Sequence, residues 1–378
     1  MYFLLIAVVL LIPIICSGIK NRGIRENRIL VLSIFAVFLL MALKAPSVGR
    51  DIAGYKILYE MMAFRSWDNY DSLSWMEWGY ELITLIFSRY LHASFQTFMA
   101  CVYALLYYSY FRFIKRYSKD YTTSVLLYIC FTFLTFDTSA VRTLLGVAIC
   151  LFAVPFAEKR GVKSTLFFFV ITILAAQIHR SAYIFIAVYF VIKIKFSLRS
   201  AIFYVGIPMM LLLLRTQFYG LINMYLKSVQ ESSVSIGGNL IIYIVCLALT
   251  GAIWYHFDRG NKNNYEENGE QISNGVKGSG KNDDILDDYF STSGLAMRMI
   301  YMAIVLQLFS SGTVLARMAE YLQLFILILV PNNVARISFE SRIVFKSLLY
   351  LFAILYFWYF SLVANALEIV PYQFFWNI

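Results

Sequence analysis

Charge is what this sequence most lacks. Asp, Glu, Lys and Arg supply 14% of its 378 residues, where soluble domains carry roughly 25%. A surface that faces water all round cannot be built from so little, so a soluble globular protein is excluded. Cysteine and histidine are also scarce, at five and three. Cys16, Cys101, Cys130, Cys150 and Cys246 all fall inside apolar runs without paired spacing. They read as small buried hydrophobes rather than as a disulfide frame or a metal site. A dense acidic motif of the Asp-x-Asp kind is missing as well, so no metal and no cofactor are expected. No internal repeat is evident, which weighs against an inverted-repeat transporter.

What is there is apolar: 61% of the residues are hydrophobic and the mean hydropathy is +0.70. The fold class expected is an all-α polytopic integral membrane protein, with the lipid bilayer as its first partner. Aromatic residues make up 18%, with 28 Tyr and 33 Phe, as interfacial belts and helix packing require. The net charge of +10 comes from short Lys and Arg clusters between apolar runs, the pattern of cytoplasmic connectors. Nucleic acid is therefore not implied.

A crossing takes about 20 apolar residues. Candidate spans are 2–19, 28–44, 94–113, 121–136, 140–157, 164–178, 181–193, 200–214, 238–256, 292–311, 313–331 and 345–363, about twelve in all. The first lacks a positive leader and is expected to be a retained helix with its N-terminus outside. Basic connectors at 20–28, 112–120, 158–163, 193–199 and 336–346 are expected inside. That parity puts the loop 45–77 outside and leaves the short run 79–91 as a re-entrant or interfacial helix in the outer leaflet. Residues 215–237 read as a polar outer loop. Residues 257–290, rich in Asn, Gly, Ser, Glu, Asp and Lys, read as a disordered cytoplasmic linker. It divides an N-terminal membrane block (1–256) from a C-terminal one (291–378).

This topology gathers the polar residues on the outer side. The first loop carries Val48-Gly49-Arg50-Asp51 and Tyr55, then Glu77-Trp78-Gly79-Tyr80-Glu81. Arg142 follows in the next outer turn, then His179-Arg180 between two apolar runs, and finally Arg317, Glu320 and Tyr321. Each has a plain structural alternative: a loop ion pair for Arg50 and Asp51, a solvated face for Glu77 and Glu81, snorkelling for Arg142. Together they say more. Arg50, Arg142, Arg180 and Arg317 outnumber the nearby acids, and guanidinium forks match phosphate oxygens. A pyrophosphate headgroup at the outer leaflet fits them, its charge stabilised directly by arginine.

These same pieces, in this order, resemble the EpsG-type family of bacterial polysaccharide polymerases, which are Wzy-like. The resemblance rests on Val48-Gly49-Arg50-Asp51-x-x-x-Tyr55, Glu77-x-Gly79-Tyr80-Glu81, Val141-Arg142, His179-Arg180-Ser181-Ala182 and Arg317-x-x-Glu320-Tyr321. It implies an inverting, metal-independent glycosyl transfer on the outer face of the bacterial plasma membrane, in a fold similar to the GT-C glycosyltransferases. The donor would be a growing glycan on undecaprenyl pyrophosphate and the acceptor a lipid-linked repeat unit. Arg142, Arg180 and Arg317 would grip the pyrophosphate, with Arg50, Glu81 and Tyr321 as further substrate contacts. His179, Asp51 or Glu77 would take the acceptor's proton, and the residues alone do not choose between them. A chain-length regulator and a flippase of the same pathway are possible partners. Two other activities are open to such a chain: a flippase for lipid-linked oligosaccharides, and a membrane acyltransferase that modifies polysaccharide.

Overall fold

The structure is a computed structural model and describes residues 1–65, 76–131, 133–159, 161–193, 243–248, 292–309 and 313–377. Among the described residues it is helical, and the one β-contact is an isolated bridge between Lys44 and Phe374. Packing divides the chain into a first unit, Met1–Ala187 with Lys346–Ile378, and a second, Val188–Phe345. The linker 257–290, the loop 215–237 and the span 200–214 lie outside the described residues, as does most of 238–256.

The first unit opens with α1 (Tyr2–Ile15) and α2 (Arg22–Ala42). The Asn21 side chain caps α2 by accepting from the Ile24 amide at 3.1 Å, which satisfies one of the donors a helix start leaves bare. Inside the expected outer loop lies a further helix, α3 (Ile52–Met62). Next comes α4 (Trp78–Leu85), prolonged by a π-helical turn over Ile86–Tyr90. Those thirteen residues rise only about 20 Å at 1.5 Å each, short of a bilayer's hydrocarbon core of roughly 30 Å.

The long helix α5 (Phe95–Tyr117) starts at a Ser94 cap and ends with Lys115 and Arg116 in its last turn, charges that suit the negative end of a helix. The span expected at 121–136 is instead broken. α6 (Tyr121–Cys130) stops at Phe131, whose backbone leaves the helical region, and α7 (Phe133–Asp137) resumes it. α8 (Val141–Glu158) and α9 (Val162–Ile178) form a hairpin, followed by a 3-10 turn at Arg180–Tyr183 and α10 (Ile184–Lys193). α8 is buried along most of its length between α5 and α9.

In the second unit α11 (Thr292–Phe309) packs on α12 (Thr313–Gln323) and α13 (Ile326–Val334). The expected single span 313–331 is thus two helices. α14 (Phe339–Tyr356), which from Lys346 on belongs to the first unit, runs on through a π-helical turn, Phe357–Val363. By length and composition two helices among the described residues could cross a bilayer, Val141–Glu158 and Phe339–Val363. The second leaves most of its apolar surface outside the protein, which suits a lipid-facing helix and no water-soluble one.

The C-terminal segment folds back along residues 43–50. The Ala45 amide donates to Gln373 O at 2.8 Å and the Phe375 amide to Leu43 O at 3.0 Å, while Gly49 and Arg50 donate to Glu368 and Leu367. Gly49 has φ +106°, and a Cβ there would lie 2.1 Å from the carbonyl oxygen of Thr138. No other residue type fits this loop against the start of α8.

Candidate active site

Glu77 sits just ahead of α4 in an extended conformation, with 8% of its surface exposed. A carboxylate so placed is costly unless its oxygens find donors, and here two segments converge to supply three. Arg142, in the first turn of α8, reaches Oε2 with Nη1 at 2.7 Å. His179 Nδ1 lies 3.1 Å from Oε1, and the backbone amide of Arg180 donates to the same oxygen at 3.1 Å. Arg142 Nε also donates to the Tyr55 hydroxyl at 3.4 Å, so α3 holds the guanidinium from the other side.

The geometry depends on close backbone approach. His179 breaks the chain between α9 and the 3-10 turn, with extended φ and ψ of −152° and 117°. Gly79 lies against the last turn of α9, where a Cβ would come within 2.6 Å of Gln177 O. The neighbouring Trp78 donates from Nε1 to Gln177 Oε1 at 2.7 Å. A side chain at position 79 would lift Glu77 off His179.

Electrostatics assigns the roles. Burial alone raises the Glu77 pKa, but the hydrogen bonds from His179 and the Arg180 amide and the charge of Arg142 pull it down to about 2. The group is therefore ionised under any physiological condition and has no proton to give. Nδ1 of His179 then donates to Glu77, and Nε2 is the ring nitrogen left facing away from the carboxylate. Nε2 is buried and meets no hydrogen-bond partner.

The other expected residues fall elsewhere. The Arg50 side chain is exposed and pairs with Glu368 at 3.4 Å. The Asp51 side chain is exposed too, and no hydrogen bond or ion pair joins it to the Glu77 cluster among the described residues. Arg180 contributes its amide, while its side chain is turned to the surface. Glu81 is fully buried on α4, one turn beyond Glu77. Arg317, Glu320 and Tyr321 lie on α12 of the second unit, with Tyr321 fully buried. Of the four arginines expected to converge, Arg142 and Arg180 meet at one carboxylate.

Sequence reasoning missed a second buried cluster, built around Asp137. The Tyr128 hydroxyl donates to the Asp137 carboxylate, Tyr107 Oη lies 2.9 Å from Tyr128 Oη, and the Tyr103 hydroxyl donates to Asp137 O at 3.2 Å. The break between α6 and α7 brings Asp137 back onto Tyr128. The one hint in the sequence is the spacing of Tyr103, Tyr107 and Tyr110, which share a helix face.

Among the described residues no three His, Cys, Asp or Glu side chains are grouped so as to hold a metal ion. No curated protein and no solved structure matches the chain. A model of the EpsG family matches residues 27–374, which takes in every part of the Glu77 cluster. Since the match spans nearly the whole chain, the protein belongs to the EpsG family.

Proposed function

We propose that this membrane protein of polysaccharide biosynthesis is the polymerase of its pathway, with the Glu77 cluster as its catalytic centre. Family membership supports a polysaccharide polymerase in the broad sense. The observation that carries the finer reading is the orphaned Nε2 of His179, held by an ionised Glu77 that also fixes Arg142.

In this reading His179 Nε2 takes the proton from an acceptor hydroxyl as that oxygen attacks the anomeric carbon of the donor glycan. The new C–O bond forms on the face opposite the breaking bond to undecaprenyl pyrophosphate, so the anomeric centre inverts. Arg142 and Arg180 stabilise the charge that develops on the departing pyrophosphate, helped by the positive end of α8. Glu77 orients the imidazole and stabilises the imidazolium that forms, rather than acting as base. Asp51, exposed and outside the cluster, is the weaker choice. Arg317 keeps the pyrophosphate-binding role that family likeness implies for it. The reaction would run on the outer face of the bacterial plasma membrane, in a GT-C-like fold.

The test is the ladder of lipid-linked glycans in a deletion strain complemented with variants. His179→Ala, Arg142→Ala and Arg317→Ala should each reduce it to a single repeat unit at the cell surface, with normal amounts of protein in the membrane. Unchanged polymer length in His179→Ala would overturn the reading. Repeat units trapped on the inner leaflet would point to a flippase instead.

A further inference from the structure

A pocket of about 490 Å³ opens between α3, the π-helical turn and the start of α5. That volume is typical of small-ligand sites. Lys56, Tyr59, Glu60, Ser88, His92 and Phe375 line it. Three independent features mark it as more than a packing defect. The Ser88 hydroxyl is buried, with 5% of the residue exposed, and has no hydrogen-bond partner. It sits in the π-helical turn Ile86–Tyr90, a distortion that recurs at functional sites. His92 adopts φ +48°, a left-handed conformation that a β-carbon disfavours.

The pocket adjoins the cluster through one helix. Tyr55 holds Arg142, and Tyr59, one turn along α3, faces the pocket with its hydroxyl donating to Ala93 O at 2.7 Å. Four residues of helix separate them by about 6 Å. Tyr55, Tyr80, Phe98 and Tyr59 then form a continuous aromatic wall, with ring centres 5.9, 6.5 and 5.0 Å apart in that order.

The lining chemistry selects the occupant. Lys56 and Glu60 pair with each other at 3.8 Å, so the rim presents no excess of one charge for a phosphate. It offers donors and acceptors of both kinds beside the exposed ring of Phe375, which is what a sugar ring with its hydroxyls and apolar face calls for. We propose that this pocket is a glycan subsite, holding a sugar residue of the acceptor next to the reacting centre. This rests on the polymerase reading above.

The experiment is calorimetric titration of the purified protein with the repeat-unit oligosaccharide released from the host strain's own polysaccharide, with inorganic phosphate as a parallel probe. Wild type and Glu77→Gln should bind the oligosaccharide alike, and Ser88→Ala/His92→Gly should bind it about tenfold more weakly. Neither substitution adds bulk, and each relieves an orphaned group or a strained residue, so a purely structural role predicts equal or raised stability and unchanged affinity. Equal affinity in the double variant, no saturable binding by wild type, or binding of phosphate alone would overturn the subsite. A Glu77→Gln protein that still makes polymer would overturn the catalytic reading and leave the calorimetry to judge the pocket by itself.

Discussion

At the scale of single residues, the cluster depends on the charge of one carboxylate. Glu77 is held at a pKa of about 2, against 4.5 for a free glutamate, so the folded state binds its proton more weakly than the unfolded chain does. Its contribution to stability is complete above the ordinary carboxylate range and is lost as pH falls from about 4.5 to about 2. Glu77→Gln removes that dependence. The variant should melt at a lower temperature than wild type at neutral pH, and the gap should narrow as the buffer is taken down toward pH 2. A gap that stayed constant would show that the carboxylate's charge contributes nothing. His179 makes a separate prediction. If Nε2 is the base, His179→Gln should lower the rate of repeat-unit transfer roughly 10²- to 10⁴-fold, and raising the pH should restore part of it as the acceptor hydroxyl ionises more readily. The sequence marked both residues as candidates, since polar groups at the ends of apolar runs stand out. It could not pair them, because 102 residues of chain separate Glu77 from His179.

At the scale of elements, glycine decides how closely helices approach. A Cβ on Gly79 would meet backbone of α9 at 2.6 Å, whereas one on Gly54, in the first turn of α3, meets nothing within 4 Å. Gly79→Ala should therefore destabilise by about 1–3 kcal/mol through overpacking and cut polymer length with it. Gly54→Ala should stabilise by up to about 1 kcal/mol, because alanine loses less backbone freedom in a helix. Melting curves of the two variants check the opposite signs. The long apolar helices were legible in the sequence, since hydropathy and length report them directly. Less legible were the breaks inside 121–136 and 313–331, where apolar composition runs on while the backbone does not. The helix α3 inside the expected loop escaped for the opposite reason: with two tyrosines, Lys56 and Glu60 it is too polar to resemble a span.

At the scale of the whole molecule, contacts constrain the path of the chain. Glu77 precedes α5 and touches Arg142 at the start of α8 and His179 at the end of α9. α5 extends about 34 Å, from 23 residues at 1.5 Å each, so α6 and α7 must bring the chain back to where it began. α8 and α9 then repeat the excursion. At the far end, Arg116 in the last turn of α5 and Glu158 at the close of α8 pair at 3.3 Å. The basic connectors 112–120 and 158–163 and the Glu77 cluster therefore occupy opposite ends of the first unit. The positive-inside bias expects the connectors in the cytoplasm, and on that expectation the cluster would open outside. Cysteine labelling reads this out. Of the native thiols in the first unit, Cys101 alone is exposed, so Cys101→Ser provides the background. In intact cells a membrane-impermeant maleimide should label His92→Cys, at the cluster's end, and should reach Lys163→Cys only after permeabilisation. If Lys163→Cys were labelled in intact cells and His92→Cys were not, the unit would be inverted. Proton abstraction and pyrophosphate release would then fall on the cytoplasmic side, where a polymerase of exported glycan has no substrate.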